Sequence, residues 1–221
     1  MKSLTQENIS KRLNLNDMVV DYIKEGILSG LYKSGDRILE KQLSNELNIS
    51  RAPIREGIMQ LEKEGIVTVI PRKGTYIREF KPEDIQEVFD IRILLENNII
   101  EILINENKLK DSDFKFLNKL VDEMVEIVRS NISDKEKSIQ INLKDMEFHR
   151  YIWEKSGSKR RVIILDGLFF QLRMAMLYDM EKTGDLLVSA TDHYKIIESL
   201  QVKDIERSKK ELSNHIITYG K

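Results

Sequence analysis

The chain reads as a mainly α protein in two parts: an N-terminal winged helix-turn-helix followed by an antiparallel all-α helical bundle. Three observations predict this. Residues 43–78, LSNELNISRAPIREGIMQLEKEGIVTVIPRKGTYIR, run from a short amphipathic segment through a tight turn into a second helical segment and then two β-branched strands. From Pro82 onward the apolar residues recur at three- and four-residue intervals, and no further proline interrupts them. Composition agrees, because 33% charged and 7% aromatic residues with only 3 Pro and 10 Gly suit helices joined by short polar loops.

Residues 1 to about 15 are polar and weakly patterned, and are expected to form a mobile arm. Asn16 or Asp17 can cap a first helix whose Val19, Val20, Ile23, Ile27 and Leu28 make one apolar face, ending near Ser29-Gly30. A turn at Lys33 to Asp36 follows. Arg37 then stands just before the next helix, where it can touch a DNA backbone or, as a plain surface residue, pair with Asp36 or Glu40.

The helix pair centres on Asn48-Ile49-Ser50. Ser50 is a good N-cap for the second helix, and Pro53 falls in its first turn, where a missing N–H breaks no helical bond. Ile54, Ile58 and Leu61 line one face, while Arg51 and Arg55, four apart, share a neighbouring stripe near the N-terminal end. In a helix-turn-helix that end enters the major groove, where arginine can take guanine O6 and N7 together. Ile66 to Ile70, a Pro71-Arg72-Lys73-Gly74 turn and Thr75 to Arg78 make the expected hairpin. Its cationic tip suits phosphate or minor-groove contact.

Phe80-Lys81-Pro82 marks the expected boundary, giving a domain of residues 1–79 and another of 80–221. Pro82 suits a first helical turn and Glu83 and Asp84 complement the dipole there. Six helices are expected beyond it: one carrying Ile85 to Leu103, then about 112–131, 134–154, 159–180, 186–200 and 204–219. The third ends at Ser156-Gly157-Ser158. Such helices with short loops imply an antiparallel bundle.

All three histidines, His149, His193 and His215, lie in this half among apolar residues at helical spacing. Asp145 is one turn before His149, so both side chains share a face. One Asp and three His from three helices can converge on a metal in the bundle core, or the histidines can be satisfied structural residues. Unpaired buried imidazoles and a buried carboxylate are costly, and a shared cation would satisfy them together.

The run SGDRILEKQLSNELNISRAPIREGIMQLEKEGIVTVIPRKGTYI resembles the N-terminal domain of the GntR family of bacterial transcription regulators, nearly element for element. That resemblance implies operator contacts from Arg37, Arg51, Arg55 and the wing around Lys73 and Gly74. Ser34 stands where the family usually has proline, and Gly57 replaces a small helix former, at a cost of roughly 1 kcal/mol relative to alanine. Residues 82–219 resemble the FCD-type effector domain of the FadR subfamily, with DMEFH, DHYKIIESL and SNHI as the matching segments. In the metal-binding branch of that family these positions hold the ion, which implies the role for Asp145, His149, His193 and His215. Another branch binds an acyl-coenzyme A in the same bundle without metal.

Four such ligands leave coordination positions for water or for the carboxylate of a small organic acid, and mixed N and O donors suit Zn, Ni or Mn. Arg92 and Glu96 resemble the family's R-x3-E. Arg92 and Arg173 are candidate anchors for the effector carboxylate, with ion pairs as the alternative for both.

The expected protein is thus a cytoplasmic transcription regulator, a repressor in the first instance, acting as a homodimer on a double-stranded DNA operator. A metal-dependent hydrolase is the rival. It is disfavoured because no second carboxylate at an obvious motif spacing offers a general base, and Glu147 faces away from Asp145 and His149. A regulator with a metal-free effector pocket is the other. Composition constrains partners little: net charge is −1, with 12 Lys+Arg against 10 Asp+Glu in residues 1–77 and 24 against 27 in the remainder. The basic character is local, since Arg72, Lys73 and Arg78 are the only charges from Ile66 to Arg78. The absence of cysteine removes disulfides and thiolate chemistry. No signal peptide and no apolar run near the ~20 residues of a membrane span are read.

Overall fold

A computed structural model describes residues 6–79, 81–183 and 185–217. The chain divides into two compact units, Met1–Lys81 and Pro82–Lys221.

The first unit begins with α1, Gln6–Leu28. The helix thus starts ten residues before Asn16, against the expected arm. No Gly or Pro occurs between Gln6 and Glu25, and the segment is rich in Gln, Glu, Lys, Arg and Leu, which favour helix. Asn16 does not cap; its amide donates instead to Glu56 Oε2 at 2.7 Å. The other elements are β1 (Arg37–Ile38), α2 (Glu40–Glu46), α3 (Arg51–Lys63), β2 (Val67–Ile70) and β3 (Gly74–Ile77).

Ser50 holds the N-cap position of α3 with extended backbone, but its side chain makes no capping hydrogen bond. The turn is closed by Ser44, whose Oγ donates to the Ile49 carbonyl at 2.6 Å, with Asn48 at φ +53°. Val19, Val20 and Ile23 of α1 meet Ile54, Ile58 and Leu61 of α3 in a common buried set with Leu43. β2 and β3 form the expected hairpin, with Val67 opposite Ile77 and Ile70 opposite Gly74. β1 adds a third strand on the other edge of β3, Arg37 opposite Tyr76. Two residues carry no readable alternation, so this strand is absent from the sequence pattern.

The second unit is the expected run of helices: α4 (Pro82–Asn105), α5 (Asp111–Arg129), α6 (Asp134–Lys155), α7 (Lys159–Thr183), α8 (Leu186–Gln201) and α9 (Ile205–Ile217). Phe80 at the expected boundary and residues 218–219 of the expected last helix lie outside the described residues. Ser133 caps α6 by accepting from Glu136 N, and Asp185 caps α8 by accepting from Leu187 N and Val188 N. α4 packs on α7 and α9, α5 on α6 and α8, α6 on α7, and α8 on α9. Phe148, Trp153, Leu117, Ile99, Ile196 and Ile216 are among the fully buried side chains between them. Among the described residues no helix is long and apolar enough to cross a membrane.

Candidate metal centre and nucleic-acid interface

Within the bundle core, α6 supplies Asp145 and His149 one turn apart, α8 supplies His193 and α9 supplies His215. All four are at most 1% exposed, and one ligand atom from each lies within 4.8 Å of the others. Asp145 Oδ1 is 3.1 Å from His193 Nε2 and 3.2 Å from His215 Nε2, and Oδ2 is 3.8 Å from His149 Nε2. The structure therefore gathers the four residues that the spacing singled out.

The tautomers follow from the other side of each ring. His149 Nδ1 is 2.7 Å from Glu96 Oε2, and His193 Nδ1 is 3.1 Å from the carbonyl oxygens of Ser189 and Ala190. These partners only accept, so Nδ1 carries a proton and Nε2 is the nitrogen turned toward Asp145. Yet Nε2 of His149, Nε2 of His193 and both oxygens of Asp145 have no hydrogen bond. Buried polar atoms left in that state cost roughly 1–3 kcal/mol each, and a cation held between them removes the cost. On donor chemistry and geometry the set fits a divalent transition metal.

Charge supports the same arrangement. Burial pushes the His149 and His215 imidazoles down, His215 to about 3, away from the charged form and toward the one that ligates. Burial works against the Asp145 carboxylate, but the imidazoles around it, His149 first, more than offset this and hold it well below the ordinary range.

Glu96 is the residue whose part the spacing did not reveal. Its motif with Arg92 was legible, but its position against His149 was not, because the two are 53 residues apart on different helices. One signal was present: Phe89, Arg92, Glu96, Ile99 and Leu103 alternate at three and four along one stripe of α4, which places a charged pair on an apolar face. The pair is fully buried. Arg92 Nε donates to Glu96 Oε1 at 2.6 Å and its NH2 is 3.7 Å from Asp145 Oδ2. Burial raises the Glu96 carboxyl, yet His149 and Arg92 outweigh it and bring it down to about 2. A second carboxylate does adjoin the site, although it is engaged by both neighbours.

Arg173 on α7 is 6% exposed, and its Nε donates to Asn142 Oδ1 at 3.0 Å. Asn142 lies one turn before Asp145 on α6, so Arg173 of α7 is tied to the helix that carries Asp145, and Arg92 of α4 is the second buried cation of the bundle.

In the first unit the candidate DNA contacts are on the surface. Arg51 opens α3 and Arg55 follows one turn on, both exposed. Arg55 Nε lies 2.9 Å from Glu40 Oε2 of α2. That pairing takes the Glu40 carboxylate considered for Arg37, and Asp36 accepts from Lys33 N at 2.7 Å. Arg37 instead reaches the wing: a Cβ built on Gly74 would sit 2.9 Å from Arg37 Nε, and Gly74 has φ +123°. Both facts require glycine there. Lys73 is exposed in the tip between β2 and β3.

Residues 15–77 match the family described as bacterial regulatory proteins, gntR family, and residues 87–218 match the FCD domain. An uncharacterized HTH-type transcriptional regulator, YdhC of Bacillus subtilis, is 28% identical over 195 residues, 87% of this chain and 84% of its own. The gluconate operon transcriptional repressor of the same species is 26% identical over 183 residues, covering 80% and 72%. Among solved structures, E. coli McbR/YncC superposes with a TM-score of 0.74 at 21% identity, over 91% of this chain and 93% of that one.

Proposed function

The chain belongs to the gntR family of bacterial transcriptional regulators that carry an FCD domain, and on that premise we propose that it is a metal-dependent sensor of a small organic acid. The observation that carries this reading is the buried convergence of Asp145, His149, His193 and His215. The α3 surface with Arg51 and Arg55, aided by Arg37, Lys73 and Gly74, reads the operator. When bound, a divalent transition metal supplies a Lewis-acidic centre with open positions for an oxygen donor.

The charges of the site favour an anionic effector. Asp145 and Glu96 against Arg92 leave one negative charge, which a divalent ion turns into one positive charge. A carboxylate reaching the ion neutralises the remainder, and Arg173 of α7, bonded to Asn142 on α6, adds a further buried cation. The relative named as a gluconate operon repressor makes repression the working sign of regulation, and catabolic genes beside this one the first source of candidate acids. The cytoplasm is the compartment in which such a regulator meets DNA.

A second copy of the chain is the partner. Leu94 of α4 is 72% exposed, and Ile163 and Ile164 of α7 are 62% and 50% exposed. Gly167 lies one turn beyond them with nothing within 4 Å of a built Cβ. An open mid-helix glycine costs about 1 kcal/mol without an internal reason, and close approach of a partner helix supplies one. Two copies would place two α3 helices on a near-palindromic operator. An acid that binds one arrangement of that dimer better shifts the population able to span both half-sites.

Metal analysis of the purified protein, repeated for His193→Ala, tests the centre. Bound zinc, nickel or manganese near one per chain in the first sample and a loss in the second is expected; no transition metal in either removes the cofactor. Selection from a random duplex pool, followed by titration with candidate acids, then tests the operator and its release.

A further inference from the structure

Arg92 and Glu96 lie outside the ligand set, yet both are fully buried and join His149 in a chain whose geometry is more specific than an ion pair needs. Glu96 spends one oxygen on each neighbour: Oε1 accepts from Arg92 Nε at 2.6 Å and Oε2 from His149 Nδ1 at 2.7 Å. A carboxylate held this way can rotate toward neither neighbour without breaking one of two short charge-assisted bonds. His149 is thereby fixed in ring plane and in tautomer, with Nε2 directed at Asp145 Oδ2, 3.8 Å away.

His193 makes the contrast. Its Nδ1 is shared by two backbone carbonyls of its own helix, at 3.1 Å each, so α8 alone orients that ring. His149 has no such local partner and depends on a side chain from α4. Arg92 closes the circuit, since the guanidinium that anchors Glu96 also lies 3.7 Å from Asp145 Oδ2. Resting on the metal-site reading above, we propose that Glu96 is a positioning residue that sets His149 as an Nε2 metal ligand and ties its orientation to α4.

Outer partners of this kind typically contribute 10- to 100-fold in metal affinity. α4 contributes no ligand, so Glu96 at His149, together with Arg92 beside Asp145, links that helix to the ligand set.

The test uses full-length protein stripped of metal by chelation and labelled with 15N-histidine. Long-range proton–nitrogen spectra, with the His149 signals assigned from their loss in His149→Gln, are expected to show His149 protonated at Nδ1; an Nε2–H tautomer overturns the inference. Competition with a chromophoric chelator is expected to give Glu96→Gln a zinc affinity 10- to 100-fold below wild type at unchanged helix content. Equal affinity in the two overturns the inference while leaving the metal site intact. Wild type that takes up no zinc, nickel or manganese overturns both. Should Glu96→Gln fail to fold around the buried Arg92, the wild-type tautomer decides alone.

Discussion

Gly57 of α3 approaches Val19 of α1 so closely that a Cβ on the glycine would lie 2.8 Å from the valine Cβ and 3.2 Å from the Asn16 carbonyl oxygen. Propensity alone favours Gly57→Ala by about 1 kcal/mol. The contact opposes it, because neither a β-branched Cβ nor a backbone oxygen can swing aside, and overpacking of this sort costs roughly 1–3 kcal/mol. Gly57→Ala is therefore expected to destabilise the winged domain in chemical denaturation, by about 1 kcal/mol net. A variant more stable than wild type would restore the expectation from propensity alone, that Gly57 costs the helix stability relative to alanine.

That reversal shows where the sequence was legible and where it was not. The six helices of the second unit were readable because each carries a stripe at three- and four-residue spacing, as Leu117, Leu120, Val121 and Met124 do on α5. Asp145 and His149 were readable for the same reason, being one turn apart. What the pattern did not contain is contact between distant elements: Val19 against Gly57, Arg37 over Gly74, Glu96 against His149. The start of α1 was misplaced because a polar segment free of Gly and Pro has helical propensity without amphipathic contrast. β1 was missed because pairing with β3, not its own two residues, makes it a strand.

Arg55 has a side chain 65% exposed and its partner Glu40 one 36% exposed. Exposed pairs contribute about 0–1 kcal/mol, so Arg55→Ala should leave the thermal midpoint within a few degrees. A bidentate contact to guanine is worth roughly 1–3 kcal/mol of discrimination. In electrophoretic mobility shifts on a selected operator, the variant should therefore lose most of its preference over random DNA. Binding by wild type should also weaken steeply with salt; undiminished specificity in the variant would remove α3 as the recognition helix.

Asp113 joins α5 to α6. Its Oδ1 accepts from Tyr151 Oη and Lys155 Nζ, each at 2.6 Å, and Oδ2 from Lys110 N at 2.8 Å. Burial raises this carboxyl, but the Lys155, Tyr151 and Lys110 bonds outweigh it and bring it to about 2. A carboxylate depressed on folding stabilises above its unfolded value near 3.9, and that contribution is lost as pH falls toward 2. Discounted for the partly exposed Lys155, the effect is about 1–2 kcal/mol. Asp113→Asn should be less stable than wild type by that amount at pH 7, and the gap should close between pH 4 and 2 in urea titrations. A gap that persists at pH 2 would mean the loss is one of packing.

Binding of an ion to the folded state alone stabilises it by RT ln(1 + [L]/Kd), about 2.7 kcal/mol at a hundredfold excess over Kd. For a domain of this size that corresponds to a rise of roughly 5–10 °C in the thermal midpoint. Chelator-stripped protein should therefore gain such a rise with zinc or nickel and lose it again with excess chelator. The donor set makes the response selective: three imidazole nitrogens and one carboxylate oxygen suit borderline ions, whereas magnesium and calcium require oxygen-rich shells. Neither magnesium nor calcium at the same concentration should shift the midpoint. His215→Ala removes one of the four ligands and should reduce the zinc response to a small fraction of wild type. An equal rise with magnesium, or an undiminished zinc response in His215→Ala, would assign the stabilisation to ions bound elsewhere on the chain.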